Sequence, residues 1–191
     1  MKSIAKVVLI IVSLCAGAAY AQVSNGTGRP YGLEVAGQFT AVYANAAPGD
    51  CGCFFMYGGS AQVAAVNHHG LGLVGDVGST HATNINGNGH DLTLTTYMAG
   101  VRYYPAMGHS KFSVYGQVLA GASRTTSNYA IDNDATRFGA AVGGGVNYKL
   151  AQHLQWRITE AEYLLTRIPN AKNEIQNQLR LSSGLVYRFG H

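Results

Sequence analysis

Near the end of the chain, between residues 178 and 189, Leu179, Leu181, Leu185, Tyr187 and Phe189 occupy one parity while Gln178, Arg180, Ser182 and Arg188 occupy the other. A side-chain period of two belongs to a strand with one apolar and one polar face, and about ten residues is the length of a tilted strand that crosses a bilayer. Such a strand cannot cross lipid alone. Each unpaired N–H or C=O would cost several kcal/mol there, so the sheet must close on itself.

Seven further runs share the pattern. At 31–43, Tyr31, Leu33, Val35, Phe39, Ala41 and Tyr43 oppose Glu34, Gln38 and Thr40; at 58–67, Ala61, Val63 and Ala65 oppose Ser60 and Gln62. Run 71–83 sets Leu71, Leu73 and Val77 against Asp76 and Thr80, and run 91–104 sets Tyr97, Val101 and Tyr103 against Met98 and Arg102. Run 112–124 places Val114 and Val118 opposite Tyr115 and Gln117; run 136–150 places Phe138, Val142, Val146 and Tyr148 opposite Arg137, Asn147 and Lys149. In 154–165, Leu154, Trp156 and Ile158 oppose Gln155, Arg157 and Thr159, but Glu160 and Glu162 then fall on the apolar parity. A β-bulge near 159–161 would turn both carboxylates to the polar face.

The fold expected is therefore all-β, an eight-stranded antiparallel up-and-down transmembrane barrel over 31–191. Connections read as short at 67–70, 105–110 and 151–153 and longer at 44–57, 84–90, 125–135 and 166–175, the asymmetry of membrane barrels whose termini share the side of the short turns. A soluble barrel would keep its apolar faces inside and enclose an apolar ligand, leaving Glu34, Asp76, Arg102, Arg157 and Arg188 as a solvated surface.

Residues 1–21 read as a cleavable signal peptide, with Lys2 and Lys6, an apolar stretch over 7–14 and Ala19-Tyr20-Ala21 at the end, followed by a short segment at 22–30. Leu14 before Cys15 does not suit lipidation. With Lys2 and Lys6 removed from thirteen basic residues, eleven face nine acidic ones, and they are dispersed, which argues against nucleic acid. Only 12% of residues are charged, while 25 are Gly and 12 are Tyr, a balance suited to closely packed strands with rings at an interface.

If the polar parity faces inward, Glu34, Asp76, Arg102, Lys149, Arg157 and Arg188 form an interior ionic cluster, since buried charges persist only when paired. Either a gate of exchangeable ion pairs or a structural plug fits that cluster. The plug is preferred because an eight-stranded lumen is just wide enough for side chains. Tyr31, Tyr43, Tyr97, Tyr103, Tyr148, Trp156, Tyr187 and Phe189 are expected as an outward aromatic girdle at headgroup level. Cys51 and Cys53 suggest a disulfide, ahead of a metal site with His81 or His90, because no zinc-type spacing is present. The glycine run 143–145 lacks a Gly-Lys-Ser/Thr ending and lies within a strand, so it reads as wall rather than nucleotide loop. No cofactor, metal or catalytic grouping is called for.

Three segments, 138–148, 153–157 with 162–167, and the terminal 185–189, taken in order and spacing, resemble the outer-membrane protein β-barrel family of OmpA/OmpX-like eight-stranded barrels. That resemblance implies a bacterial outer-membrane location, contact with outer-membrane lipid and lipopolysaccharide, recognition by the outer-membrane assembly machinery through the final aromatic, and a monomer. It also implies a non-enzymatic structural, adhesive or recognition role carried by the longer loops. The alternative is a lipid-modifying barrel enzyme of the lipid A deacylase or acyltransferase kind, whose support is Glu160 and Glu162 on the apolar face.

Overall fold

The computed structural model describes residues 32–46, 52–85, 89–105, 110–127, 135–168 and 175–189. Eight strands follow one another: β1 (Gly32–Ala46), β2 (Gly52–Val66), β3 (Leu71–Ile85), β4 (His90–Tyr103), β5 (Phe112–Ser127), β6 (Ala135–Lys149), β7 (Leu154–Thr166) and β8 (Gln176–Phe189). Each pairs antiparallel with its chain neighbours, and β8 pairs with β1, so the sheet has no free edge. Closure satisfies every wall position that an open sheet would leave exposed to hydrocarbon.

Register sets the geometry of the barrel. The cross-strand partners Leu33, Ala65, Leu73, Val101, Val118, Val142, Tyr163 and Leu179 lead once around the wall and return to β1 at Tyr43, ten residues beyond the start. This shear forces the strands to tilt, and it fixes which inward side chains share a level. The apolar parity faces out: Phe39, Leu73, Val118, Phe138, Val142 and Leu185 are all more than half exposed. Glu34, Asp76, Arg102 and Arg157 are at most 1% exposed. The arrangement is the reverse of a soluble barrel.

The turn at 67–70 shows how the local sequence ends a strand pair. The Asn67 side-chain oxygen accepts from the backbone N–H groups of His69 (2.9 Å) and Leu71 (3.1 Å), and Gly70 adopts φ 81°, open to glycine at little cost. This turn, with 104–111 and 150–153, marks the lower end of the barrel, where the first residues of β1 and the last of β8 also lie.

Connections at the upper end differ from expectation. The long loop expected at 44–57 is largely strand: β1 continues to Ala46, β2 begins at Gly52, and Tyr43 pairs with Phe55. Phe55 and Tyr57 face out and Met56 faces in, so the alternation of two simply continues through a segment whose Gly and Cys content suggests a loop. The upper connections shrink to 47–51, 86–89, 128–134 and 167–175, and the first two are no longer than the lower turn 104–111. The distinction between the ends is one of strand extension more than of loop length.

Candidate functional site

The lumen contains the chemically dense part of the molecule. Glu34, low on β1, accepts from Arg188 on β8, from Arg102 Nη1 on β4 (3.2 Å) and from the Tyr104 hydroxyl (2.8 Å). Arg102 continues the network inward: its Nε donates to Gln117 Oε1 at 2.8 Å, and its Nη2 donates to Gln62 Oε1 and lies 3.7 Å from Glu160. Arg157 on β7 donates to Asn147 Oδ1 (3.0 Å), Gln62 Oε1 (2.6 Å) and Glu160 Oε2 (3.0 Å). The Tyr115 hydroxyl donates to Glu160, and its ring is approached by the guanidinium groups of both Arg102, at 4.2 Å, and Arg157, at 4.9 Å, which also meet at the Gln62 oxygen.

Above this level Arg180 closes the network. Its Nε donates to Glu162 Oε2 at 2.6 Å and its Nη1 to Asp76 Oδ1 at 2.8 Å, while Gln62 Nε2 bridges Asp76 (3.0 Å) and Glu160 (2.9 Å). Four guanidinium groups, Arg102, Arg157, Arg180 and Arg188, thus meet four carboxylates, Glu34, Asp76, Glu160 and Glu162. The amides of Gln62 and Gln117 add further contacts, and Arg157 Nη2 is left without a hydrogen-bond partner. Pairing of this density is what makes burial of charge tolerable.

The wall is shaped to admit these groups. A Cβ on Gly143 would lie 2.8 Å from Glu162 Cγ and 2.1 Å from the Ala161 carbonyl oxygen, and one on Gly145 would lie 2.6 Å from the Tyr115 hydroxyl. The glycine run therefore makes room for Tyr115 and Glu162. Glu160 and Glu162 reach the lumen through a bulge in β7. On the β6 side Val146 pairs with Thr159 and Asn147 with Arg157; on the β8 side the register shifts between Arg157 and Glu160. The extra residue thus lies at 158–159, overlapping the start of the expected 159–161, and Thr159, expected inside, is exposed. A bulge strands backbone carbonyls, and the Ser183 hydroxyl on β8 donates to that of Arg157 at 3.0 Å.

Toward the upper end the lumen changes character. A rung of hydroxyls, Thr40 with Ser60 and Ser182 at 3.0 Å each, adjoins an apolar cluster that includes Val42, Met56, Leu94, Met98 and Leu164. Phe54, Ile85, Leu92 and Ile168 pack on it as partly buried neighbours.

Of the interior residues expected from sequence, Glu34, Asp76, Arg102, Arg157 and Arg188 all occur in the network. Lys149 does not. It is exposed at the end of β6, because inward parity places a side chain in the lumen only where the wall still surrounds it, and β6 ends there. Arg180, Tyr104, Tyr115, Gln62 and Gln117 join the network without having been singled out; all but Tyr104 lie mid-strand, and all have the polar parity. On the outside, Tyr43, Tyr97, Tyr103, Trp156, Tyr187 and Phe189 are exposed and Tyr148 is half-buried. Neighbouring rings pair at 5.0 Å for Tyr43 with Phe55 and for Phe112 with Tyr148, and at 4.7 Å for Tyr187 with Phe189. Tyr31, Cys51 and the side chain of Cys53 lie outside the described residues, and with them the disulfide.

Residues 7–189 match the family model described as outer membrane protein beta-barrel domain. No match is found among curated proteins. Among solved structures, Neisserial surface protein A (NspA) is similar with a TM-score of 0.62 at 17% identity, covering 82% of this chain and 97% of that one. The attachment invasion locus protein Ail of Yersinia pestis has a TM-score of 0.56 at 13% identity, covering 84% of this chain and 100% of that one. OprG from Pseudomonas aeruginosa has a TM-score of 0.56 at 14% identity, with 87% and 100% covered. At such identities the likeness is one of fold.

Proposed function

The chain belongs to the outer membrane protein beta-barrel domain family, and from that premise we propose a non-enzymatic, monomeric barrel of the bacterial outer membrane with a structural or recognition role at its upper connections. The observation that carries this reading is the lumen. It is filled by Arg102, Arg157, Arg180 and Arg188 with their carboxylate partners, all tied by hydrogen bonds, which suits a plug better than a passage.

The enzymatic alternative loses its support, because Glu160 and Glu162 are each 1% exposed and are committed to arginines inside the barrel rather than to a substrate on the lipid wall. Recognition falls to the connections 47–51, 86–89, 128–134 and 167–175, held apart by a rigid wall, as binding loops commonly are. Attachment, which the name of Ail carries for that protein, is the class of work proposed here. The outward rings seat the wall in lipid, and the aromatic end of β8 at Phe189 is the feature for the assembly machinery to read. Residues 1–21 act as the cleaved export signal.

Fractionation with protease shaving of intact cells tests location and orientation together: cleavage is expected in the upper connections, after residues 47–51 or 128–134, and not in the lower turns. The purified protein in a planar bilayer should give no stepwise conductance, and its expression should leave the mass of lipid A unchanged. A change in lipid A mass that Glu162→Gln abolished would restore the enzymatic reading.

A further inference from the structure

Charge is divided unequally along the barrel axis. Of the nine acidic residues, Glu34, Asp76, Glu160 and Glu162 are paired in the lumen, and Asp50, Asp91, Asp132, Asp134 and Glu174 belong to the upper connections or stand beside them. Residues 66–71, 103–112 and 149–154, which span the lower turns, include no Asp or Glu. They do include Lys111 and Lys149, both exposed.

The two lysines oppose each other. Phe112 pairs with Tyr148, and the ladder continues one residue further, where the Lys149 backbone N–H donates to the Lys111 carbonyl at 2.9 Å. Like charges directly opposite across a ladder destabilise it, and neither lysine meets a carboxylate among the described residues. Parity keeps both off the lipid side. Phe112 and Tyr148, with ring centroids 5.0 Å apart, take the outward positions, and Lys149 pairs on its other flank with Gln155, a buried lumen residue that accepts from Arg188 at 3.3 Å. Lys111 and Lys149 therefore stand at the edge of the lower mouth. Arg188, the cation beside them, is already committed to Glu34, so no lumen carboxylate is left over to neutralise the pair.

Two ammonium groups held side by side without counter-charge match a ligand that brings carboxylates in close succession. Such a ligand relieves the repulsion across the ladder, and flexible lysine stems follow carboxylates whose spacing is not rigid. A charged headgroup in the bilayer approaches from the lipid side, where Phe112 and Tyr148 stand, whereas a polypeptide approaches the mouth from below. We infer that Lys111 and Lys149 form a docking site at the lower mouth of the barrel for an acidic segment of a periplasmic polypeptide. This rests on the orientation proposed above, with the lower end in the periplasm.

The test uses the full-length protein folded in phosphatidylcholine nanodiscs and a labelled peptide of alternating Glu and Gly, with a Gln and Gly counterpart, binding being read by fluorescence anisotropy at low ionic strength. Wild type should prefer the Glu peptide. In K111Q/K149Q that affinity should fall by about twofold to thirtyfold, the range that two exposed ion pairs supply. R124Q/R167Q, at the opposite end, should match wild type. Equal binding of the two peptides by wild type, or an unchanged K111Q/K149Q, overturns the site. Loss of the preference when phosphatidylglycerol replaces part of the phosphatidylcholine assigns the lysines to lipid headgroups and equally overturns it. Heat-modifiable gel migration verifies folding, and K149Q alone replaces the double variant if that does not fold. Protease shaving separates the two failures: cleavage confined to the lower turns refutes the orientation, whereas correct shaving without a preference for the Glu peptide refutes the site alone.

Discussion

In the lower part of the lumen Arg102 is within reach of Glu34, Glu160, Gln62 and Gln117, whereas toward the upper end Val42, Met56, Leu94 and Leu164 pack together among uncharged polar side chains such as Thr80, Thr125 and Gln178. Both halves are enclosed by the same eight strands and the same parity. They differ in how much each residue depends on its neighbours. A buried ion stripped of one partner leaves the other uncompensated, while an apolar side chain exchanged for another of similar volume disturbs only local packing. Alternation selects the inward face, and the level along the tube decides which of these rules applies.

The largest expected effect comes from breaking the lower half. Arg102→Met should destabilise the barrel by about 3–5 kcal/mol, because Glu34 and Glu160 lose a shared cation while remaining sealed from water. Urea unfolding of the protein refolded in lipid vesicles measures it, and a loss no greater than that of an upper-tier swap would erase the contrast between the halves. Gly145→Ala tests the shape of the wall around the same network. With its new methyl 2.6 Å from the Tyr115 hydroxyl and 2.8 Å from the Thr159 carbonyl oxygen, it should cost about 1–3 kcal/mol in the same assay. Ser183→Ala, which removes the donor to the bulge carbonyl of Arg157, should cost about 1–2 kcal/mol, and local amide exchange on β7 and β8 should rise with it. Met56→Leu in the upper half should be the mildest, below about 1.5 kcal/mol.

Much of this architecture was legible in the chain. Parity alone separates Phe39 from Glu34 and Leu73 from Asp76, and the misplaced Glu160 and Glu162 announce a bulge before any coordinates. The bulge was expected slightly too late because Ile158 and Thr159 are both tolerable outside, so neither marks the slip. Parity is silent about height. Lys149 has the inward phase but lies where the wall ends, and Arg180 shares the phase of Arg188 yet sits beside Asp76 on β3, a strand that does not adjoin β8 and is met across the lumen at a level set by the ten-residue stagger of the closed sheet. The apolar upper tier was hidden for a related reason: Phe54 and Met56 fall in a stretch whose glycine and cysteines suggest a loop, so their inward phase went unread.

The stagger also distributes the guanidinium groups unevenly along the chain. Arg180 and Arg188 both belong to β8, and Arg188 joins Glu34 on β1 across the seam where the sheet closes. A wall of seven strands would hold Glu34, Asp76, Glu160 and Glu162 against Arg102 and Arg157 alone. The final strand thus supplies the last hydrogen-bonding edge together with half of the positive charge that the lumen requires, so neutrality inside arrives in the same step as closure.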